Sequence, residues 1–219
     1  MNNQLILKFP KNKVYLKEDF YVSSSNQQAY DFINSWPKWI KRIVNIFGPS
    51  GSGKSHLVYL LKNKTSYLKI ECKELNENTF FDFKTKEALI IENLDENVSE
   101  KILFSLWNIA LQDNKYLITT SRKSISSYKF KLEDLKSRVT SSLSFGIKLP
   151  SDDLISVILA KNFSDKQIKV EKKHIDYIIK RIDRSYEKIS QFILTLDKYS
   201  LKKGSPFSLK LIKEVLKMI

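Results

Sequence analysis

The sequence predicts an α/β fold, a parallel sheet covered by helices on both faces, followed by a small all-helical unit. Three observations predict it. Short β-rich runs alternate with stretches of helical periodicity as far as Pro150. A glycine-rich turn lies between the first strand-like run and the helix after it, where folds of this class bind phosphate. Beyond Pro150 the strand pattern stops and amphipathic helical segments alone remain.

Residues 1–12 read as a tail. A helix is expected between Asp19 and Trp39, with Ser25 or Asn26 as its cap and Ala29, Tyr30, Phe32 and Ile33 as its apolar positions; Pro37 stops it. Residues 42–47 form a short first strand that halts at the segment from Gly48 to Gly53. The next helix begins near Lys54 and carries Leu57, Leu60 and Leu61. Residues 67–70 and 88–91 read as the second and third strands, the third an unbroken apolar run and so buried on both faces. Ile102, Leu103, Leu106, Trp107 and Ala110 recur at helical spacing within 98–111. Residues 116–119 are expected as a fourth strand and 145–149 as a fifth. Then come four helical segments, at 151–162, 171–181, 185–200 and 208–218. The chain thus divides into a tail (1–12), an α/β domain (13–149) and a helical domain (150–219).

Composition excludes several classes. Of the 219 residues, 42% are hydrophobic and 28% charged, as in ordinary globular proteins. No apolar run reaches the roughly 20 residues of a membrane span, and the N-terminus has no secretory pattern. The single cysteine, Cys72, rules out an intrachain disulfide and fits a reducing compartment, so the expected location is the cytoplasm with no membrane partner. A formal charge of +14 invites a nucleic-acid reading. However, 33 of the 38 basic residues are Lys, spread along the chain beside abundant Asn and Ile, as AT-rich coding produces. A solvated surface accounts for them, and direct DNA contact is expected to be weak and salt-sensitive. The five arginines, Arg42, Arg122, Arg138, Arg181 and Arg184, carry more information against that background.

Gly48, Pro49, Ser50, Gly51, Ser52, Gly53, Lys54 and Ser55 satisfy G-x-x-x-x-G-K-S/T in full, between a strand and a helix. Glycines let successive backbone N–H groups curl around a β-phosphate, Lys54 reaches the β- and γ-phosphates, and the Ser55 hydroxyl joins a Mg²⁺ shell. Three of the chain's five glycines fall in this register, which argues against a chance turn. ADP or ATP with Mg²⁺ is the expected cofactor. The third strand runs into Glu92, Asn93, Leu94 and Asp95. Glu92 stands where such sites carry a metal-holding carboxylate, and otherwise it simply ends a strand. Asn93 follows where a second acid would position the attacking water, and an amide is no base. Slow or absent intrinsic hydrolysis is therefore expected. Thr120 and Ser121 close the fourth strand, where a hydroxyl faces either a γ-phosphate or nothing but the strand end.

This ordered set resembles the DnaA-related AAA+ proteins, and among them the regulatory inactivators of the initiator DnaA. Asp19-Phe20-Tyr21-Val22-Ser23-Ser24-Ser25-Asn26 is similar to the family's D-F-x-V-G-P-S-N segment near the adenine, with Ser23 and Ser24 in place of Gly and Pro. Leu132-Glu133-Asp134-Leu135-Lys136-Ser137-Arg138 is similar to L-x-D-L-x-S-R, Asp152-Asp153 to P-D-D, and Arg181-Ile182-Asp183-Arg184-Ser185 to the motif of the helical lid. The resemblance implies an AAA+ P-loop NTPase domain with a helical lid. It makes Arg138 a finger acting in trans on a neighbour's γ-phosphoryl, and Arg184 a sensor closing on the chain's own nucleotide. It adds Val22 and His56 to the nucleotide-binding set. On residues alone, Arg138 is equally a surface ion-pair partner, Arg184 a helix-surface charge, and His56 a packed or solvated side chain.

Gln4, Leu5, Ile6, Leu7, Lys8 and Phe9 are similar to the peptide Q-L-x-L-x-L/F that docks on the bacterial DNA sliding clamp, with Gln4, Leu5, Leu7 and Phe9 as contacts. An edge strand has the same pattern. Nothing after the lid reads as a helix-turn-helix, and no oligomerisation domain precedes the tail, so a complete initiator is not expected. The implied function is an adaptor that binds adenine nucleotide and the clamp, reaches DNA mainly through the clamp, stimulates hydrolysis of DnaA-bound ATP and so restrains replication initiation. Its own ATPase activity is weak or absent, and self-association is open. An active AAA+ ATPase of the helicase-loader kind and a DnaA-like nucleic-acid-binding module are the alternatives. Neither His56 nor His174 has a metal-site neighbourhood in sequence.

Overall fold

A computed structural model describes residues 20–166, 168, 170–203 and 208–219, with 201–203 as backbone only. The tail with Gln4, Leu5, Leu7 and Phe9 lies outside the described residues. Five strands, β1 (Ile43–Phe47), β2 (Tyr67–Glu71), β3 (Ala88–Leu94), β4 (Tyr116–Ser121) and β5 (Leu143–Gly146), form one sheet in the order β2-β3-β4-β1-β5, and every pairing is parallel. Nine α-helices are described: α1 (Gln27–Asn34), α2 (Lys54–Tyr59), α3 (Asn78–Lys84), α4 (Glu100–Gln112), α5 (Glu133–Ser141), α6 (Asp152–Asp165), α7 (Lys172–Ile179), α8 (Tyr186–Lys203) and α9 (Leu209–Leu216).

Alternation along the buried strands builds two cores. Leu89 and Ile91 of β3 face α3, α4 and α5 with Phe83, Leu103, Trp107 and Leu135. Ala88 and Ile90 face the other way, toward Ala29 and Ile33 of α1 and Leu57 and Val58 of α2. A third, separate core joins α6 to α9 through Ile155, Leu159, Ile178, Phe192, Leu196 and Ile212. The α/β architecture is therefore as the alternation of elements implies. α4 buries Leu103, Leu106, Trp107 and Ala110 along one stripe. It stops at Asn114, whose φ of 57° lets the Lys115 N–H return to the Ala110 carbonyl at 2.8 Å.

Several expectations need correction. The fifth strand is β5 at Leu143–Gly146, not 145–149, because pairing with β1 ends at Phe47↔Gly146 before the chain turns away. α2 ends at Tyr59; Leu60 and Leu61 follow in tight turns closed by bonds to Leu57 and Val58, with Leu61 still buried. Asn26 occupies the N-cap position of α1, but its side chain makes no capping bond. α3 and α5 lie where no helix is expected from periodicity. Each is short and anchored by two buried residues, Thr79 and Phe83 in α3, Leu135 and Val139 in α5. Arg184 is not on a helix surface, since it precedes α8, which begins at Tyr186. Among the described residues no helix is long and apolar enough to cross a membrane.

Candidate nucleotide site

Parallel pairing brings the carboxyl ends of the strands to one edge of the sheet, where open α/β sheets bind ligands. Phe47 is in register with Ser121 and Gly146, Leu94 with Ser121, and Glu71 with Glu92. The loop from Gly48 to Gly53, the acidic turn after β3 and the end of β4 thus converge. The Gly48 N–H donates to the Ser121 carbonyl at 3.1 Å, which ties the loop to β4. Gly51 and Gly53 sit at φ of 77° and 89°, a left-handed conformation that side chains resist, and this curls the loop ahead of α2. Ser50 is exposed, Pro49 and Ser55 half-buried. The buried Lys54 ammonium donates to the Gly48 and Pro49 carbonyls, each at 2.8 Å. Burial, and then the positive charge of Arg122, hold its pKa below the ordinary 10.5.

Phe20 packs on the loop: a Cβ on Gly53 would come within 3.2 Å of its ring. It also stacks on Tyr30 and meets His56 edge-on at 5.3 Å, so His56 belongs to an aromatic wall beside the loop. Val22 is half-buried in the adjoining segment. There the Asn26 side chain accepts from the Ser23 N–H and donates to the Tyr21 carbonyl, fixing the turn that leads into α1.

Beneath the loop lies a polar platform that the sequence reading did not identify. The Asn45 amide, 1% exposed in the middle of β1, donates to the Thr119 and Ser121 hydroxyls at 3.0 and 2.9 Å, and its oxygen accepts from the Ile125 N–H. A polar residue inside the apolar run Ile43-Val44-Asn45-Ile46-Phe47 was the available signal. Ser121 further donates to the Lys123 carbonyl, so its hydroxyl is engaged within this network. Thr120 turns to the acidic turn and accepts from the Asn93 N–H at 3.1 Å. Asn93 has φ of 57° at an irregularity in the β3–β4 pairing, and its amide donates to Glu71.

Glu92 is 5% exposed. Lys69 of β2 holds one of its oxygens at 2.8 Å, while Oε1 has no hydrogen-bond partner. The Ser52 hydroxyl in the loop is the other buried side-chain atom without a partner among the described residues. Buried polar atoms are nearly always satisfied, so two orphans at one sheet edge mark a place that suits a polar ligand. The Ser55 hydroxyl and a phosphate cradle are hard oxygen donors of the kind that suit Mg²⁺, whereas the Glu92 carboxylate is already paired with the Lys69 ammonium.

The helical unit touches the loop at one end. A Cβ on Gly51 would lie 3.2 Å from Cβ of Tyr186, the first residue of α8. The Tyr186 hydroxyl donates to the Lys148 carbonyl, and the Lys148 N–H donates to the Ser25 carbonyl, joining α8, the end of the sheet and the segment before α1. A cavity of about 200 Å³ lies here between Gly51, Ile158, Tyr186, Ile189 and Ile193. Arg184 pairs with Asp152 at the start of α6 at 3.0 Å, and Arg181 lies over the Tyr177 ring at 3.7 Å. Arg138 is half-buried on α5 with its guanidinium 5.5 Å from the Phe104 ring of α4, on the sheet face opposite α2.

A parallel sheet with this loop, this acidic turn and an appended helical unit defines a P-loop protein of AAA+ fold. Known proteins similar to the chain include the chromosomal replication initiator DnaA. DnaA of Borrelia garinii subsp. bavariensis is 26% identical over 234 residues, spanning 94% of this chain and 48% of the relative. The chain thus spans about half the length of the curated relatives it matches. Domain III of Thermotoga maritima DnaA superposes with a TM-score of 0.75 at 19% identity, covering 95% of this chain and 98% of that one. AMPPCP-bound DnaA from Aquifex aeolicus gives 0.70 at 17% identity, over 84% and 65%. No family model matches the sequence. The chain is thus of AAA+ fold and similar in sequence to DnaA.

Proposed function

We propose that this chain binds ADP or ATP at the phosphate loop and acts as an adaptor of the Hda kind, lending Arg138 to the nucleotide site of DnaA. The observation that carries the nucleotide reading is the pair of partnerless buried atoms, Ser52 Oγ and Glu92 Oε1, at the edge where Lys54 is also buried. A polar, anionic ligand suits the loop hydroxyl and the buried ammonium, with Glu92 already neutralised by Lys69. The AMPPCP bound by the Aquifex aeolicus protein supports the same ligand class.

The adaptor reading rests on what the site lacks and what the opposite face offers. Asn93 stands in for an acid, its amide is tethered to Glu71, and an amide is no base for the attacking water. Intrinsic hydrolysis is accordingly slow. Among the described residues the half-buried Arg138 side chain has one partner, the Phe104 ring, and a guanidinium reaching a neighbour's site would stabilise the charge on its γ-phosphoryl group. Gln4, Leu5, Leu7 and Phe9 would hold the pair on the sliding clamp. The test is a reconstitution of ATP-loaded DnaA, DNA-loaded clamp and this protein. Arg138→Ala and Gln4→Ala are each expected to abolish stimulated hydrolysis, whereas unaltered stimulation in both variants removes the adaptor reading.

A second reading is favoured by the curated relatives being DnaA itself: Arg138 would enter the site of another copy of this chain, in a nucleotide-dependent assembly. Sedimentation with ATP and without DnaA separates the two, since the adaptor reading expects no Arg138-dependent oligomer.

A further inference from the structure

The geometry points to Lys69 as a built-in counter-cation that replaces much of the divalent metal's role, so that nucleotide binding depends little on Mg²⁺. The inference rests on the phosphate loop being the nucleotide site. Glu92 is the carboxylate at the tip of β3, and its side chain is 7% exposed. A carboxylate so buried is costly unless a cation accompanies it. In this chain the cation is part of the protein: Lys69 Nζ lies 2.8 Å from Glu92 Oε2. Lys69 sits on β2, the edge strand, where a lysine ordinarily guards against strand pairing by pointing to solvent. Its side chain is half exposed, yet the ammonium turns inward to the carboxylate.

Two residues along, Glu71 holds the Asn93 amide, and the Asn93 N–H in turn meets Thr120. β2 therefore braces the acidic turn at two points, and one brace removes the charge that a metal would use. A second cation at Glu92 Oε1 would be repelled by the ammonium on the same carboxylate. Phosphate charge would then fall mainly to Lys54 and to Arg122, which is near enough to Lys54 to act on its charge.

Isothermal titration with ADP, in excess magnesium and in EDTA, tests this on the full chain. The wild-type Kd is expected to agree within about threefold between buffers, while Lys69→Met is expected to gain a dependence of about tenfold or more. Lys69→Arg is expected to behave as wild type. Glu92→Gln gives a second check should Lys69→Met not fold: its ADP affinity in magnesium is expected to match wild type. A wild-type affinity tightened by magnesium beyond about threefold overturns the inference. So does a folded Lys69→Met that stays metal-independent, or a Glu92→Gln weakened only in magnesium. Absence of ADP binding in both buffers overturns the nucleotide reading as well, which distinguishes the two failures.

Discussion

The sheet half and the helical half of this molecule are stabilised by different means. Every buried polar or charged residue described, from Ser25 through Asn45, Lys54 and Glu92 to Ser121, belongs to the sheet half. The core of the helical half is Ile, Leu, Phe and Val alone. Polar groups in a core are stabilising only when matched, and in the sheet half they are matched to one another except at the phosphate-loop edge. The half that holds the phosphate loop thus keeps its specificity in hydrogen bonds, whereas the other relies on close packing and meets the loop through Tyr186.

The most disruptive way to break this contrast is to empty the apolar core. Phe192→Ala removes a fully buried ring from α8 and is expected to cost about 3–5 kcal/mol. Because the cores are separate, hydrogen exchange should accelerate across α6–α9 while amides of β1, β3 and β4 keep their protection. Uniform loss of protection would show that the halves unfold as one unit. The polar counterpart is Asn45→Ala, which strands the Ile125 N–H and takes from the Thr119 and Ser121 hydroxyls the donor they accept from. Urea unfolding should show a loss of about 2–3 kcal/mol, more than expected for the volume removed.

The same contrast explains what the sequence made legible. Apolar runs located β1, β3 and β4, and helical spacing located all four helices after Pro150, because packing alone decides those elements. β5 is a half-buried edge strand, and its Leu143-Ser144-Phe145-Gly146 pattern is too short to fix a register. α5 hides inside a motif with only Leu135 and Val139 buried, and α3 is short, with aromatic residues of modest helix propensity. In the site, the loop is local in sequence and was readable. The Lys69–Glu92 pair depends on the β2–β3 register, and the Arg184–Asp152 pair on how α6 meets the start of α8; neither is written locally.

A third prediction sharpens the electrostatic side of the sheet half. In the free protein Lys54 is held below 10.5 by burial and by Arg122, and an arriving phosphate raises it again. Proton uptake therefore accompanies binding. ADP affinity should be fully present below the depressed pKa of the free protein and fall as pH rises through it toward 10.5, by at most about tenfold per pH unit. For the free protein the sign is opposite: the cost of the buried charge is full at lower pH and fades over the same window. Lys54→Met should flatten both profiles, in titration calorimetry and in thermal unfolding.

The smallest effect on stability is expected at the junction of the halves. Arg184 and Asp152 are 63% and 52% exposed, so their 3.0 Å pair is worth no more than about 0.5–1 kcal/mol. Arg184→Ala should scarcely move the urea midpoint. A sensor role requires more of this side chain: on nucleotide binding it would exchange Asp152 for phosphate, and removing it would weaken ATP more than ADP. Asp152→Asn supplies the converse, since releasing Arg184 from its partner should strengthen ATP binding with equally little effect on folding. If both variants leave the ratio of ATP to ADP affinity unchanged, the arginine serves only to join α6 to the turn before α8, and the Gly51–Tyr186 contact is left as the link between the helical half and the loop.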